Sequence, residues 1–258
     1  MRRRRLLTVA AIVLAAALVT SAVGAAATTS RSGGAKGKVS FQLRIGDVLP
    51  FTGDLSGYGP SLDAASKIAV DRINAALKKD GLGKSISVKL VGSEDDQTKA
   101  QAGVEGATKL VKVDKAQVIV GSMASSVTIP VAQSVTIPNK VVLIAPTSSA
   151  PQITFLNDNN YVWRIIGSDT LQGRALAIAV ADGFGKKATI NVGARNDAFG
   201  VALKALFIAE WKKGGGKIGA DVAWNPDQPS FDTEAAKLVA GNPAGWVIID
   251  FPETFGKV

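Results

Sequence analysis

Three stretches of this 258-residue chain gather small hydroxyl side chains beside glycine or proline. They are Gly121-Ser122-Met123-Ala124-Ser125-Ser126, Pro146-Thr147-Ser148-Ser149-Ala150-Pro151, and Pro50-Phe51-Thr52-Gly53-Asp54-Leu55-Ser56-Gly57-Tyr58-Gly59. Hydroxyls and free backbone N–H groups at turns are uncharged hydrogen-bond donors. Placed at the start of a helix they suit an anionic group such as a carboxylate, because the helix dipole adds partial positive charge. The same residue types also serve as ordinary caps of helices and turns, and a single loop of this kind does not separate the two roles. Tyr58, at the tip of the third stretch, reads either as a packed loop aromatic or as a ligand contact.

Other chemistries are absent from the composition. The chain has no cysteine and no histidine. Disulfides, Cys/His metal sites and imidazole-based catalysis are therefore excluded. Ser–Lys chemistry and carboxylate-only metal binding stay open. Gly83-Lys84-Ser85 has Lys78 where a phosphate-binding loop needs its first glycine, and it lies between a helix and a strand, the reverse of the required order. No G-x-G-x-x-G follows the first strand and no G-x-S-x-G is present. The residues call for no cofactor and no metal, and an enzyme ranks last among the readings.

The net charge of +9 is concentrated at one end. Residues 1–38 contain seven of the 30 basic residues and no acid, which leaves 23 positives against 21 negatives in the remainder. A body so close to neutral carries no footprint for nucleic acid. Arg2 to Arg5 precede an uncharged run, Leu6 to Val23, and then the small residues Ala25-Ala26-Ala27. This order is that of a secretory signal over residues 1–27, with a retained membrane anchor as the other reading. Residues 28–40, rich in Ser, Gly and Lys, read as a flexible tether. The protein is accordingly expected outside the cytoplasm, and without cysteine it cannot be a lipoprotein.

The hydroxyl-bearing stretches need elements to hold them, and the rest of the chain supplies a regular alternation. Leu43 to Leu49, Ile86 to Val91, Gln117 to Val120 and Val141 to Ala145 are short apolar runs suited to strands. Between them lie helical patterns: Leu62, Ala65, Ala69, Ile73 and Ala76 on one face, then Val104, Ala107 and Val111, then a short helix from Ser125. Pro60 suits a first helical turn, Gly81 and Gly83 a stop, and Asp95 or Asp96 a helix cap. After a less regular stretch at Tyr161 to Ile166 the rhythm resumes. Helices at Thr170 to Ala181, Val201 to Trp211 and Phe231 to Val239 alternate with strands at Ala188 to Val192, Ile218 to Val222 and Trp246 to Ile249. Such alternation predicts an α/β fold with parallel sheets and right-handed crossovers. Ligands of such sheets sit beyond the carboxyl ends of the strands, where the three hydroxyl-rich stretches fall.

The sequence LPFTGDLSGYG, a helix ending DRINAAL, the turn SEDDQT, then GSMASSVTIP and APTSSAP occur in the order found in the branched-chain amino-acid binding proteins of ABC transporters, which the chain resembles. RIIGSDTLQG and NDAFGVAL extend the resemblance, which runs from Leu43 to the C-terminus. It implies the type I periplasmic binding protein fold, two Rossmann-like lobes with parallel sheets, here over residues 41–164 and 165–258. It also implies a protein that captures a small amino-acid-like ligand between the lobes, works as a monomer with a membrane permease, and catalyses nothing. Ligand-sensing domains of receptors share the fold and are the alternative.

Carried over by position, the resemblance puts Ser125 and Ser149 on a ligand carboxylate, with backbone groups of Thr147 and Ser148 beside them. Tyr58 would line the pocket from the first lobe and Phe199 from the second, where relatives often have Tyr. Asp169 matches an acidic position near the cleft, although Asp169 with Gln172 also has the spacing of a capping box. Members of the family continue past the equivalent of Val258, return to the first lobe and carry there the acid that binds an ammonium group. The chain is thus expected to lack the second crossover and the C-terminal part of the fold.

Overall fold

The computed structural model describes residues 40–258; the signal and tether expected over 1–27 and 28–40 lie outside them, Ser40 excepted. The first half forms a parallel sheet from β1 (Phe41–Leu49), β2 (Ile86–Asp95), β3 (Val118–Gly121), β4 (Val142–Ala145) and β5 (Val162–Arg164), in the order β2-β1-β3-β4-β5. The second half forms a parallel sheet from β6 (Thr189–Arg195), β7 (Lys217–Trp224) and β8 (Gly245–Ile249), in the order β7-β6-β8. Helices α1 (Gly59–Lys79), α2 (Ala100–Lys112) and α3 (Ser125–Val131) serve the first sheet; α4 (Asp169–Phe184), α5 (Ala198–Lys213) and α6 (Asp232–Val239) serve the second. The four-residue α7 (Pro252–Phe255) follows β8.

Alternation along the central strands assigns the two faces. In β1, Val48 joins Leu110 of α2 and Val127 and Val131 of α3 in a fully buried aliphatic core. Ile45 and Leu49 point to the other face, toward Leu62, Ala69 and Ile73 of α1. That face is only partly closed. The predicted apolar stripe of α1 does turn to the sheet, but Gly59 is the one fully buried residue of the helix, and Ile73 remains 43% exposed. In β6, Ile190, Val192 and Ala194 meet Leu203, Phe207 and Trp211 of α5. On the opposite face Asn191 is buried, donates to the carbonyls of Leu238 and Ala240, and accepts from the Ala220 N–H.

Three sequence expectations are corrected. The stretch at Tyr161 to Ile166 contains strand β5, three residues on the sheet edge, too short to show a period. Neither Asp95 nor Asp96 caps α2, whose first flanking residue is Lys99. Strand β2 runs on to Asp95 itself, whose carboxylate accepts mainly from the Phe51–Thr52 turn after β1, while that of Asp96 accepts from Thr98 N–H. Nor does Asp169 begin a capping box: the cap of α4 is Ser168, whose hydroxyl accepts from Thr170 N–H, and Asp169 is already the first helical residue.

Candidate functional site

The carboxyl ends of β1, β3, β4, β5, β6 and β8 converge from both sheets on a cavity of about 290 Å³, a volume at the small-ligand end of binding sites. Its first-lobe wall comes from the turns after β3 and β4, which bring in Ser125, Thr147 and Ser149. These turns are tied to each other. Thr147 donates its hydroxyl to the Met123 carbonyl at 2.8 Å, and Ser125 accepts the Ala150 N–H at 3.1 Å. With its oxygen held in this way, Ser125 keeps a hydroxyl proton to donate into the cavity.

Leu55 and Tyr58 belong to the loop that follows β1. The Asp95 carboxylate fixes this loop by accepting from the N–H groups of Phe51 and Thr52 and from the Thr52 hydroxyl. Burial works against the ionised form of Asp95, but these bonds and one from Gln97 N–H outweigh it and hold the carboxyl below its usual range. Gly53 is required at the bend. Its φ is +82°, and a Cβ there would come within 2.1 Å of the Gln97 carbonyl oxygen.

Rings dominate the second-lobe wall. Phe199 opens α5, placed by Asp197, which accepts from the N–H groups of Phe199 and Gly200 as the helix cap. Phe251 follows β8 and stacks on Phe199, with centroids 5.5 Å apart and planes 12° from parallel. Gln172 of α4 and Ile166 close the remaining side.

Of the residues singled out from the sequence, Tyr58, Ser125, Thr147, Ser149 and Phe199 line this cavity, and Ser148 and Asp169 do not. The Ser148 side chain points into the protein, where it bonds with the Thr128 hydroxyl at 2.7 Å and donates to the Ser122 carbonyl. Successive residues of an extended turn face opposite ways, so of Thr147, Ser148 and Ser149 the middle one is turned inward. Asp169 is fully buried beneath Ser149, whose carbonyl accepts its N–H. Burial pushes its carboxyl up, opposed by Ser149 and Arg164. Sequence reasoning missed Phe251 and Pro252, although the turn after the last strand obeys the same carboxyl-end rule as the others. Among the described residues no group of three or more Asp or Glu side chains is placed to hold a metal ion.

Comparison with known proteins agrees with this architecture. The sequence pattern of the family described as periplasmic binding protein matches residues 42–256. The chain belongs to that family. Its relatives include the Leu/Ile/Val-binding protein BraC3 of Rhizobium johnstonii, 34% identical over 197 residues, which are 76% of this chain and 51% of that protein. Among solved structures, the leucine binding protein LivK of Thermotoga maritima superposes with a TM-score of 0.68 at 23% identity, covering 80% of this chain and 55% of its own. A solute binding protein of Rhodopseudomonas palustris in complex with 3,4-dihydroxybenzoic acid gives 0.66 at 21%, covering 83% and 58%. The fold is thus the α/β architecture of parallel-sheet lobes expected from the sequence, and the chain spans about half the length of the relatives it matches.

Proposed function

We propose that the protein is the extracytoplasmic solute-binding component of an ABC uptake transporter. It captures a small amino-acid-like carboxylate between its lobes and catalyses no reaction. The observation that carries this reading is the composition of the two cavity walls. Ser125, Thr147 and Ser149 bring hydroxyls from the first lobe, Phe199 and Phe251 bring rings from the second, and Tyr58 adds a ring from the first-lobe loop after β1. Neutral donors facing rings match a ligand with a carboxylate at one end and an apolar body at the other.

The names of the relatives support branched-chain amino acids as the first ligands to try, and the dihydroxybenzoate complex supports aromatic acids as the second. Arg2 to Arg5 with the apolar run to Val23, together with the family description, support export. In this reading ligand bound to one lobe recruits the other by hinge closure at the first crossing between them, Asn160 to Gly167, which takes in β5 and leads to α4. The closed monomer then docks on a membrane permease.

A thermal-shift screen of the protein against amino acids, amides and aromatic carboxylates tests the reading. A saturable rise of the transition with one class is expected, because a ligand that binds only the native state stabilises it. A cooperative transition that none of them moves would contradict the proposal.

A further inference from the structure

Among the described residues the charge with the most ion pairs is Arg195, at the carboxyl end of β6. Its side chain is only 3% exposed yet reaches three carboxylates: Asp197 at 2.6 Å, Asp54 at 3.1 Å and Asp250 at 3.3 Å. Asp197 and Asp250 belong to the second lobe, whereas Asp54 sits in the first-lobe loop that carries Leu55 and Tyr58 to the cavity. The guanidinium also lies 3.8 Å from the centre of the Phe251 ring, which stacks on Phe199 and packs against the aliphatic core of the first lobe. Gly200 makes the close approach of α5 possible, since a Cβ there would come within 2.1 Å of the Arg195 carbonyl oxygen.

From this geometry we infer that Arg195 is a closing latch, a positioning residue that joins the two cavity walls through Asp54. The inference rests on the solute-binding reading above, in which the lobes move. Two acids of its own lobe and a ring face fix the guanidinium, so it meets Asp54 with little side-chain freedom left to lose. A second ion pair, Lys99–Asp227 at 2.6 Å, also spans the lobes, but its side chains are 53% and 56% exposed. Water and salt screen that pair, and exposed pairs of this kind contribute little. The two pairs differ in what they connect as well as in strength. Lys99 and Asp227 join surface loops, while Arg195 joins the loop of Tyr58 to the ring pair facing it. Whatever separates the lobes must therefore break the Arg195–Asp54 contact and unseat one cavity wall from the other.

Asp54→Asn is the clean test. It removes the cross-lobe charge but leaves Arg195 neutralised by Asp197 and Asp250, so no buried charge is stranded. Arg195→Met, in contrast, would orphan Asp250, whose side chain is fully buried. The chain contains no cysteine, so Lys79→Cys in α1 and Lys237→Cys in α6 give two unique spin-label positions for distance measurements on the full chain.

Without added ligand, Asp54→Asn and Asp54→Ser are expected to shift the label distances toward longer values. Asp54→Glu and Lys99→Ala should keep the wild-type distribution, and all four should retain a cooperative melt. With L-leucine as probe, dissociation from Asp54→Asn is expected to be about five- to tenfold faster, with association little changed. Neutral variants that fold and show the wild-type distances would overturn the latch. Failure of L-leucine to move the wild-type distances would count against the ligand reading alone, because the ligand-free variants still decide the latch.

Discussion

The two walls of the cavity stand on differently made bodies. The first lobe has an aliphatic core, of which Leu110, Ile119, Val127 and Leu143 are fully buried. The polar groups of its wall are netted by hydrogen bonds between neighbouring turns: Thr147 to Met123, Ser125 to Ala150, Ser148 to Ser122 and Thr128. The second lobe has an aromatic core with Phe207, Trp211, Trp224 and Phe231, and its wall is placed by stacking and by charge around Arg195. Hydrogen-bond donors discriminate only when they are held in place, because a ligand that leaves a buried donor unpaired loses far more than one that leaves a methyl group's space unfilled. The netted wall therefore suits recognition of a polar group, and the ring wall suits enclosure of an apolar one.

The largest expected effect removes the support of the second wall. Trp224 is 1% exposed and donates its indole N–H to Asp250 at 3.0 Å. Trp224→Ala should cost about 3–5 kcal/mol in urea unfolding, since it opens a cavity and weakens the hold on a buried carboxylate. A loss below about 1 kcal/mol would show that the aromatic body is not what holds the ring wall.

A gain is expected on the other side. Asn191 and Asp250 of the second lobe are hydrogen-bonded, whereas both carboxylate oxygens of Asp47, buried in the first lobe, lack a well-formed hydrogen bond, as do those of Asp169. Burial raises the pKa of Asp47 to about 6, opposed by Ser66 and Lys67 and reinforced by Asp63. A pKa raised above the unfolded value means that the native state holds the proton more tightly. The contribution of Asp47 to stability therefore falls as pH rises from about 4 to about 6, and the penalty is complete above that. Asp47→Asn should stabilise the protein at pH 7.5 by up to about 3 kcal/mol and change little at pH 4. Equal effects at the two pH values would place the carboxylate in a wetter setting than the fold gives it.

Two substitutions in the cavity sharpen the contrast between the walls. Ser125→Ala removes a hydroxyl and leaves the Ala150 N–H unpaired, so affinity for whichever compound stabilises the protein should fall by about 1–3 kcal/mol in calorimetry. Phe199→Leu keeps an apolar wall and should cost less than about 1.5 kcal/mol. The reverse ranking would assign recognition to the rings.

The sequence made the alternation of strands and helices readable because each apolar run is bounded by turn residues, as Gln117 to Val120 is by Gly121. It concealed β5, whose three residues include the exposed Trp163. Five of the seven residues proposed for the site line the cavity, and the other two stand apart for different reasons. The resemblance asked only backbone groups of Ser148, whose side chain turns inward, while Asp169 is the first residue of α4 and is buried by its packing, which residue type alone does not reveal. Arg195 was invisible for another reason. Asp54 and Asp250 lie 141 and 55 residues away along the chain, and no local pattern joins them.

The Asp95 carboxylate beneath the Phe51–Thr52 turn has a thermodynamic consequence. Three donors of the first cavity loop, and a fourth from Gln97, already converge on that one side chain. A loop so restrained has little conformational entropy left to surrender when a solute arrives. The heat-capacity change of binding should then follow the apolar area the solute covers, without the added component that accompanies ordering of a disordered segment.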